Sequence, residues 1–452
     1  MRPFRSYPSP AFALFAVLAV ALPQSVTARA APDRAAGNPA DSPQTPTLRR
    51  MFVTAATGTG DLSTWAASGN QDGIVGANQV CQTLAETAGL ATAGDPLFRA
   101  WISDAANDAW CNIQGLSGQK TGASPCGGGT QIAVGPWVRT DGLLFANSLT
   151  QLAGPALFVY VPAVIDETAS EVLTATLFMT GTFAAGTSST ANCTQWTTTV
   201  GQDQPGSSRA TVTWGSSGSL SPCSTLQRLA CFEVGVGIAV AKPSAPGHLA
   251  FISSVAGTGD LSSWPDAGGA SGIDAGDAIC QARAAAARIP APESFHAWLS
   301  DTAHDAACRA RGLSGLVSNN CDGGVAPPDA PYRRIDGFAL AANFAGLLDD
   351  LLETSPSIDE LGNQHSNNLV YTGTSANGTL EPSNGSCSDW TSAASTAAIG
   401  TTNLTTGAWT STGGALCSNN RPIYCFSTAI TIFWDGFESG TFARWSVAVG
   451  GS

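Results

Sequence analysis

Phe98-Arg-Ala-Trp-Ile-Ser-Asp104 recurs further along the chain as Phe295-His-Ala-Trp-Leu-Ser-Asp301, and this recurrence decides how the 452 residues are organised. The matches extend outward in order on both sides. Upstream, Phe52-Val-Thr-Ala-Ala-Thr-Gly-Thr-Gly-Asp-Leu-Ser-Thr-Trp65 pairs with Phe251-Ile-Ser-Ser-Val-Ala-Gly-Thr-Gly-Asp-Leu-Ser-Ser-Trp264. Downstream, Gly115-Leu-Ser-Gly118 pairs with Gly312-Leu-Ser-Gly315, and Arg139-Thr-Asp-Gly142 with Arg334-Ile-Asp-Gly337. Cys193-Thr-Gln-Trp-Thr197 then pairs with Cys387-Ser-Asp-Trp-Thr391. All 12 cysteines obey the same rule: Cys81, Cys111, Cys126, Cys193, Cys223 and Cys231, then Cys280, Cys308, Cys321, Cys387, Cys417 and Cys425. A period of roughly 195 residues is far longer than the 20–50 of solenoid repeats, so two tandem globular copies are expected.

The N-terminus reads as a secretory signal over residues 1–30. Arg2 and Arg5 precede an apolar run from Ala11 to Leu22, and Ala28-Arg29-Ala30 is a small-residue cleavage site. Residues 31–48 read as a flexible leader, 49–236 and 249–428 as the two repeats, 237–248 as a linker containing Pro243 and Pro246, and 429–452 as a tail. No later segment is apolar for long enough to span a bilayer. An even number of cysteines in an exported chain implies disulfides rather than thiolate chemistry. Zinc is disfavoured, because no C-x-x-C pair occurs and the chain has only 4 histidines. The net charge of −13 opposes phosphate backbones and anionic lipid, so nucleic acid is not an expected partner.

Each copy reads as α+β, with a small antiparallel sheet and many loops. Phe52-Val-Thr-Ala starts as a strand. Ala77 to Leu90 and Asp277 to Ala287 have helical composition, with Cys81 and Cys280 in the first turns. Phe98 to Ser103 and Phe295 to Ser300 read as short buried strands. Further strands are expected around Trp196, Trp214 and Cys231, and around Trp390, Trp409 and Cys425. Gly58-Thr-Gly-Asp61 and Gly257-Thr-Gly-Asp260 read as tight turns, since no lysine follows to make a phosphate loop.

Several residues could carry chemistry. Asp104 with Asp108, and Asp301 with Asp305, would share a face if helical and could act as an acid/base pair or a metal site. The simpler expectation is that Asp104 and Asp301 cap the next backbone segment. His296 and His304 replace Arg99 and Asn107 of the first copy, so a hydrolase using Asp301, His304 and Asp305 is one reading; no G-x-S-x-G nucleophile accompanies them. Arg139 with Asp141, and Arg334 with Asp336, read as internal ion pairs. The repeated tryptophans, Trp101 and Trp298, Trp196 and Trp390, read as core. No cofactor motif is present.

The run of Phe-x-Ala-Trp-Leu-Ser in Phe295–Ser300, then Cys387-Ser-Asp-Trp390 through Tyr424-Cys425, resembles the endostatin-like branch of C-type-lectin-like domains. It is also similar to a bacterial family of unknown function with that fold. The resemblance covers both repeats. It implies nested pairings Cys81–Cys231 and Cys193–Cys223, then Cys280–Cys425 and Cys387–Cys417, leaving Cys111–Cys126 and Cys308–Cys321; the sequence by itself allows 15 connectivities per copy. In a chain-entropy view an outer bridge of that length is worth up to about 4–5 kcal/mol. Sugar-binding members hold calcium with a loop and a Trp-Asn-Asp strand. Here Trp214-Gly-Ser216 and Trp409-Thr-Ser411 lack Asn and Asp, and Glu381-Pro-Ser-Asn384 only faintly matches the loop, so no calcium site is expected. Phe433-Trp-Asp-Gly-Phe-Glu-Ser-Gly440 resembles a short C-terminal motif of exported bacterial proteins, and an edge strand is the other reading. Together these readings lead to the expectation of a secreted, non-enzymatic binding or adhesion protein without cofactor or metal. Its partner would be an extracellular protein or glycan. A structural envelope component would fit the same sequence, which sets neither ligand nor oligomeric state.

Overall fold

The computed structural model describes residues 47–154, 157–172, 177–366, 368–383 and 385–431. The signal segment, nearly all of the leader, the Phe433–Gly440 motif and Asn384 lie outside them.

Short, largely buried runs build one five-stranded sheet from each repeat. In the first, β1 (Arg49–Val53), β2 (Phe98–Ala100), β3 (Trp137–Arg139), β4 (Leu144–Ala146) and β5 (Ala230–Glu233) lie in the order β2-β5-β1-β3-β4. In the second, β6 (Gly247–Ile252), β7 (Phe295–Ala297), β8 (Tyr332–Arg334), β9 (Ala339–Ala341) and β10 (Tyr424–Thr431) repeat that order as β7-β10-β6-β8-β9. The first strand of each copy pairs antiparallel with the last and parallel with the third, so each sheet is mixed rather than purely antiparallel. The termini of a repeat thus meet at the sheet centre, with Phe52 opposite Cys231 and Phe251 opposite Cys425.

One long helix flanks each sheet: α1 (Gly73–Thr87) and α2 (Gly272–Ala286). Both begin several residues before the expected starts, which places Cys81 and Cys280 in the third turn rather than the first. Their opening residues, Gly73 and Gly272, have low helix propensity and positive φ of 58° and 59°, so composition understates these ends. Bridges Cys81–Cys231 and Cys280–Cys425 tie each helix to the last strand of its sheet. The other four are Cys111–Cys126, Cys193–Cys223, Cys308–Cys321 and Cys387–Cys417, and no described cysteine is free.

Trp196 and Trp390 are not in strands. They close tight turns, Cys193–Trp196 and Cys387–Trp390, whose four residues all have φ between 50° and 66°. Their indoles are fully buried, and each donates Nε1–H to the carbonyl of Ser103 (2.8 Å) or Ser300 (3.0 Å). Burial of an aromatic with a satisfied N–H overrides the strand propensity of the segment. Trp214 and Trp409 also lie outside strands and are buried in the core. The second repeat adds a three-stranded sheet of Leu369–Tyr371, Thr396–Thr401 and Gly413–Leu416.

The two repeats do not stand apart. A single hydrophobic core includes Phe145, Phe158, Tyr160 and Trp214 of the first and Phe251, Phe338, Tyr371 and Trp390 of the second. Tyr160 stacks on Phe338 at 4.9 Å between centroids. Backbone bonds join the segments just ahead of Trp214 and Trp409: Thr211 N–H donates to Asn403 (3.0 Å), and Thr405 N–H to Arg209 (3.0 Å). The Asn403 side chain accepts from Val212 N–H and Thr213 N–H and donates to the Thr213 hydroxyl. Among the described residues, no helix is long and apolar enough to cross a membrane.

Candidate functional site

A cleft of about 470 Å³ opens in the first repeat where the start of α1 meets the end of β2. In β2, Phe98 and Ala100 point into the core, so Arg99 between them points the other way, into the cleft. After β2 the chain turns on Asp104. Its Oδ1 accepts from the amides of Ala106 (2.8 Å) and Asn107 (2.7 Å) and from the Asn107 side chain (3.1 Å). This is the expected cap rather than a helical carboxylate pair. Asn78 of α1 and Asn112 form the floor, bonded to each other at 2.9 Å and to the backbone of Ala100. Gln195 stands on the left-handed turn Cys193–Trp196, and its Oε1 accepts from Ala105 N–H (3.0 Å).

Four consecutive non-glycine residues in the left-handed region are costly, on the order of 1–2 kcal/mol each. The turn persists because the Cys193–Cys223 bridge, the buried Trp196 and the bond from Gln195 N–H to the Asn192 side chain over-determine it. Gly73 completes the wall: a Cβ there would lie 3.4 Å from the Gln195 carbonyl oxygen, in a backbone conformation that side chains disfavour. Strain held at a cleft is a recurrent mark of functional sites.

The second repeat places a different set of groups at the corresponding positions. Asp277 replaces Asn78, His296 replaces Arg99, His304 replaces Asn107, Arg309 replaces Asn112 and Asp389 replaces Gln195. Three of these groups bond one another. Asp277 binds both His296 Nδ1 (2.6 Å) and Arg309 Nη2. Burial pushes the Asp277 carboxyl up, but His296, Arg309 and the Ala297 amide outweigh it and hold it below the usual range. Asp389 is likewise held low against its desolvation, chiefly by the Thr302 hydroxyl and amide.

Asp301 repeats the role of Asp104, accepting from the amides of Ala303 and His304, and His304 Nδ1 lies 3.0 Å from its Oδ1. Asp305 is buried and bound on both oxygens by backbone amides, Val317 N–H at 2.7 Å and Leu380 N–H at 2.9 Å. Asp108 does the same in the first copy with Lys120 and Ser188. Asp305 therefore staples loops, and its hydrogen bonds do not run to His304. Arg139 and Arg334 are buried and pair through both their Nε and Nη2 atoms with Asp141 and Asp336. Among the described residues, no group of three or more His, Cys, Asp or Glu side chains could hold a metal ion.

Sequence reading singled out Asp104, Asp301, His296 and His304 but missed Asn78, Asn112, Gln195 and their counterparts. The signal was available in the alignment of one copy with the other. Five positions that change chemical type between otherwise matching motifs converge on one place in the fold. No curated protein matches the chain. The family model described as "Protein of unknown function (DUF1554)" matches residues 264–408, a span within the second repeat that includes all its counterparts of the cleft residues.

Proposed function

We propose that this is an exported, non-enzymatic recognition protein made of two endostatin-like, C-type-lectin-like repeats, which binds an extracellular glycan or protein ligand without calcium. The observation that carries this reading is the amide-lined cleft of the first repeat, held open by a strained turn. Side-chain amides, two carboxylates and a guanidinium beside small apolar groups line it, and such mixtures are the means by which proteins recognise polar ligands in a preformed cavity. The six disulfides and the lack of a membrane-crossing helix among the described residues fit an extracellular or periplasmic protein. Independence from calcium is supported by Trp214-Gly-Ser216 and Trp409-Thr-Ser411, which lack the oxygen-rich side chains that the ion requires.

The hydrolase reading of Asp301, His304 and Asp305 is weakened by the occupation of Asp305 by two amides. The test is binding of the chain from residue 31 onward, produced in an oxidising compartment, to glycan and protein arrays in calcium and in chelator. Saturable binding that survives chelation is expected. Loss of binding on chelation, or turnover of a bound ligand, would overturn the proposal.

A further inference from the structure

Every basic side chain at the corresponding place in the second repeat has an acidic partner: His296 and Arg309 share Asp277, and His304 meets Asp301. The first repeat has no such ion pair among the described residues: Asp72 and Asp104 also line its cleft, but neither pairs with Arg99. Asn78 and Asn112 replace Asp277 and Arg309 and bond to each other, which leaves Arg99 as the cation of the cleft. Among the described residues, the Arg99 guanidinium has no hydrogen bond, ion pair or aromatic contact, although half of it is withdrawn from water. Burial alone acts on it, pulling its pKa below the ordinary value. A partly desolvated guanidinium without a partner is unfavourable in the free protein. A planar anion that accepts two parallel N–H bonds would relieve it.

We propose that Arg99 is the anchor of a ligand site in the first repeat for a carboxylate-bearing sugar, such as a terminal uronate or sialate. The proposal rests on the recognition reading above and names its ligand class. Three features select a sugar acid over other anions. Net charge of −13 repels dense polyanions, so the ligand brings one charge rather than many. The described bonds to Asp104 all fall on Oδ1, so none of them uses Oδ2, which can accept from a hydroxyl. Ile74, Val75 and Leu116 line the same cleft and offer an apolar surface to a sugar ring, and about 470 Å³ suits a small terminal group rather than a polymer.

The experiment uses the chain from residue 31 onward on an array carrying uronate- and sialate-terminated glycans, their methyl esters, neutral counterparts, and peptides with free or amidated C-termini. Acid-terminated glycans are expected to bind at least ten-fold more tightly than their esters. Arg99→Ala should bring them to the level of the esters, with Arg99→Lys between. The Arg99 side chain holds no described partner and is partly desolvated, so neither variant is expected to lower the melting temperature, and Arg99→Ala should raise it slightly. Equal binding of acid and ester, or an Arg99→Ala variant that binds acids like the parent, would overturn the assignment while leaving recognition intact. Peptide carboxylates bound in place of glycans would overturn the ligand class. No binding to any of these ligands would overturn this assignment and the recognition reading together.

Discussion

At the level of single residues, the sharpest consequence lies away from the cleft. Asp203 is fully buried, and its Oδ1 accepts from the Gln227 side chain at 3.1 Å. Its Oδ2 and the Gln227 Oε1 are both buried acceptors without a donor. Burial pushes this carboxyl up to about 6. The folded protein therefore holds the proton more tightly than the unfolded chain. Stability contributed by Asp203 is fully present below pH 4, falls as pH rises from about 4 to 6, and stays lower above that, by on the order of 3 kcal/mol. Asp203→Asn cannot ionise. It should raise the melting temperature at pH 7.5 and have no effect near pH 3.5, which calorimetry at the two pH values will check. The second repeat has Ala397 and Arg421 at these two positions, so the device belongs to one copy only. No spacing or motif marks Asp203 in the sequence; its chemistry arises from burial, which a local reading does not see.

Among the elements, what was legible is what local rules control. The β1 and β6 strands, the cap at Asp104 and Asp301, and the buried tryptophans follow from short apolar runs, turn chemistry and aromatic content. The turns at Trp196 and Trp390 were not legible as turns. Cys-x-x-Trp in a Thr-rich run has the composition of a strand, and the disulfide, the buried indole and the Asn192 side chain force it left-handed. The start of α1 was missed for the related reason that glycine hides it. Asp305 offers a test of element-level stapling. Asp305→Ala removes two charge-assisted bonds and orphans the amides of Val317 and Leu380, so urea unfolding should report a loss of roughly 2–4 kcal/mol. A change confined to ligand affinity, with stability intact, would contradict the stapling role.

Across the whole molecule, the shared core makes the repeats interdependent. Asn403 bonds three groups of the first repeat through its side chain, and Thr354 donates to the Tyr160 carbonyl across the same boundary at 2.5 Å. Calorimetry should give one endotherm for the chain, not two. Asn403→Ala, which strips the buried Val212 amide of its acceptor, should lower that endotherm without splitting it. Two resolved transitions would show that the cores are separable. The doubled motifs revealed two copies of one plan, but not this fusion. The residues that join the copies, such as Tyr160, Thr211 and Asn403, lie in Gly- and Ser-rich stretches that read as irregular loops, because their partners lie in the other copy. The antiparallel contact of Arg209–Thr211 with Asn403–Thr405 has the geometry by which two identical subunits would meet about a twofold axis. A homodimer joined that way dissociates on dilution, and every substitution appears in both subunits at once. Here the partner is tethered, so the pairing is independent of concentration, and either half can acquire a new residue while its twin keeps the old one.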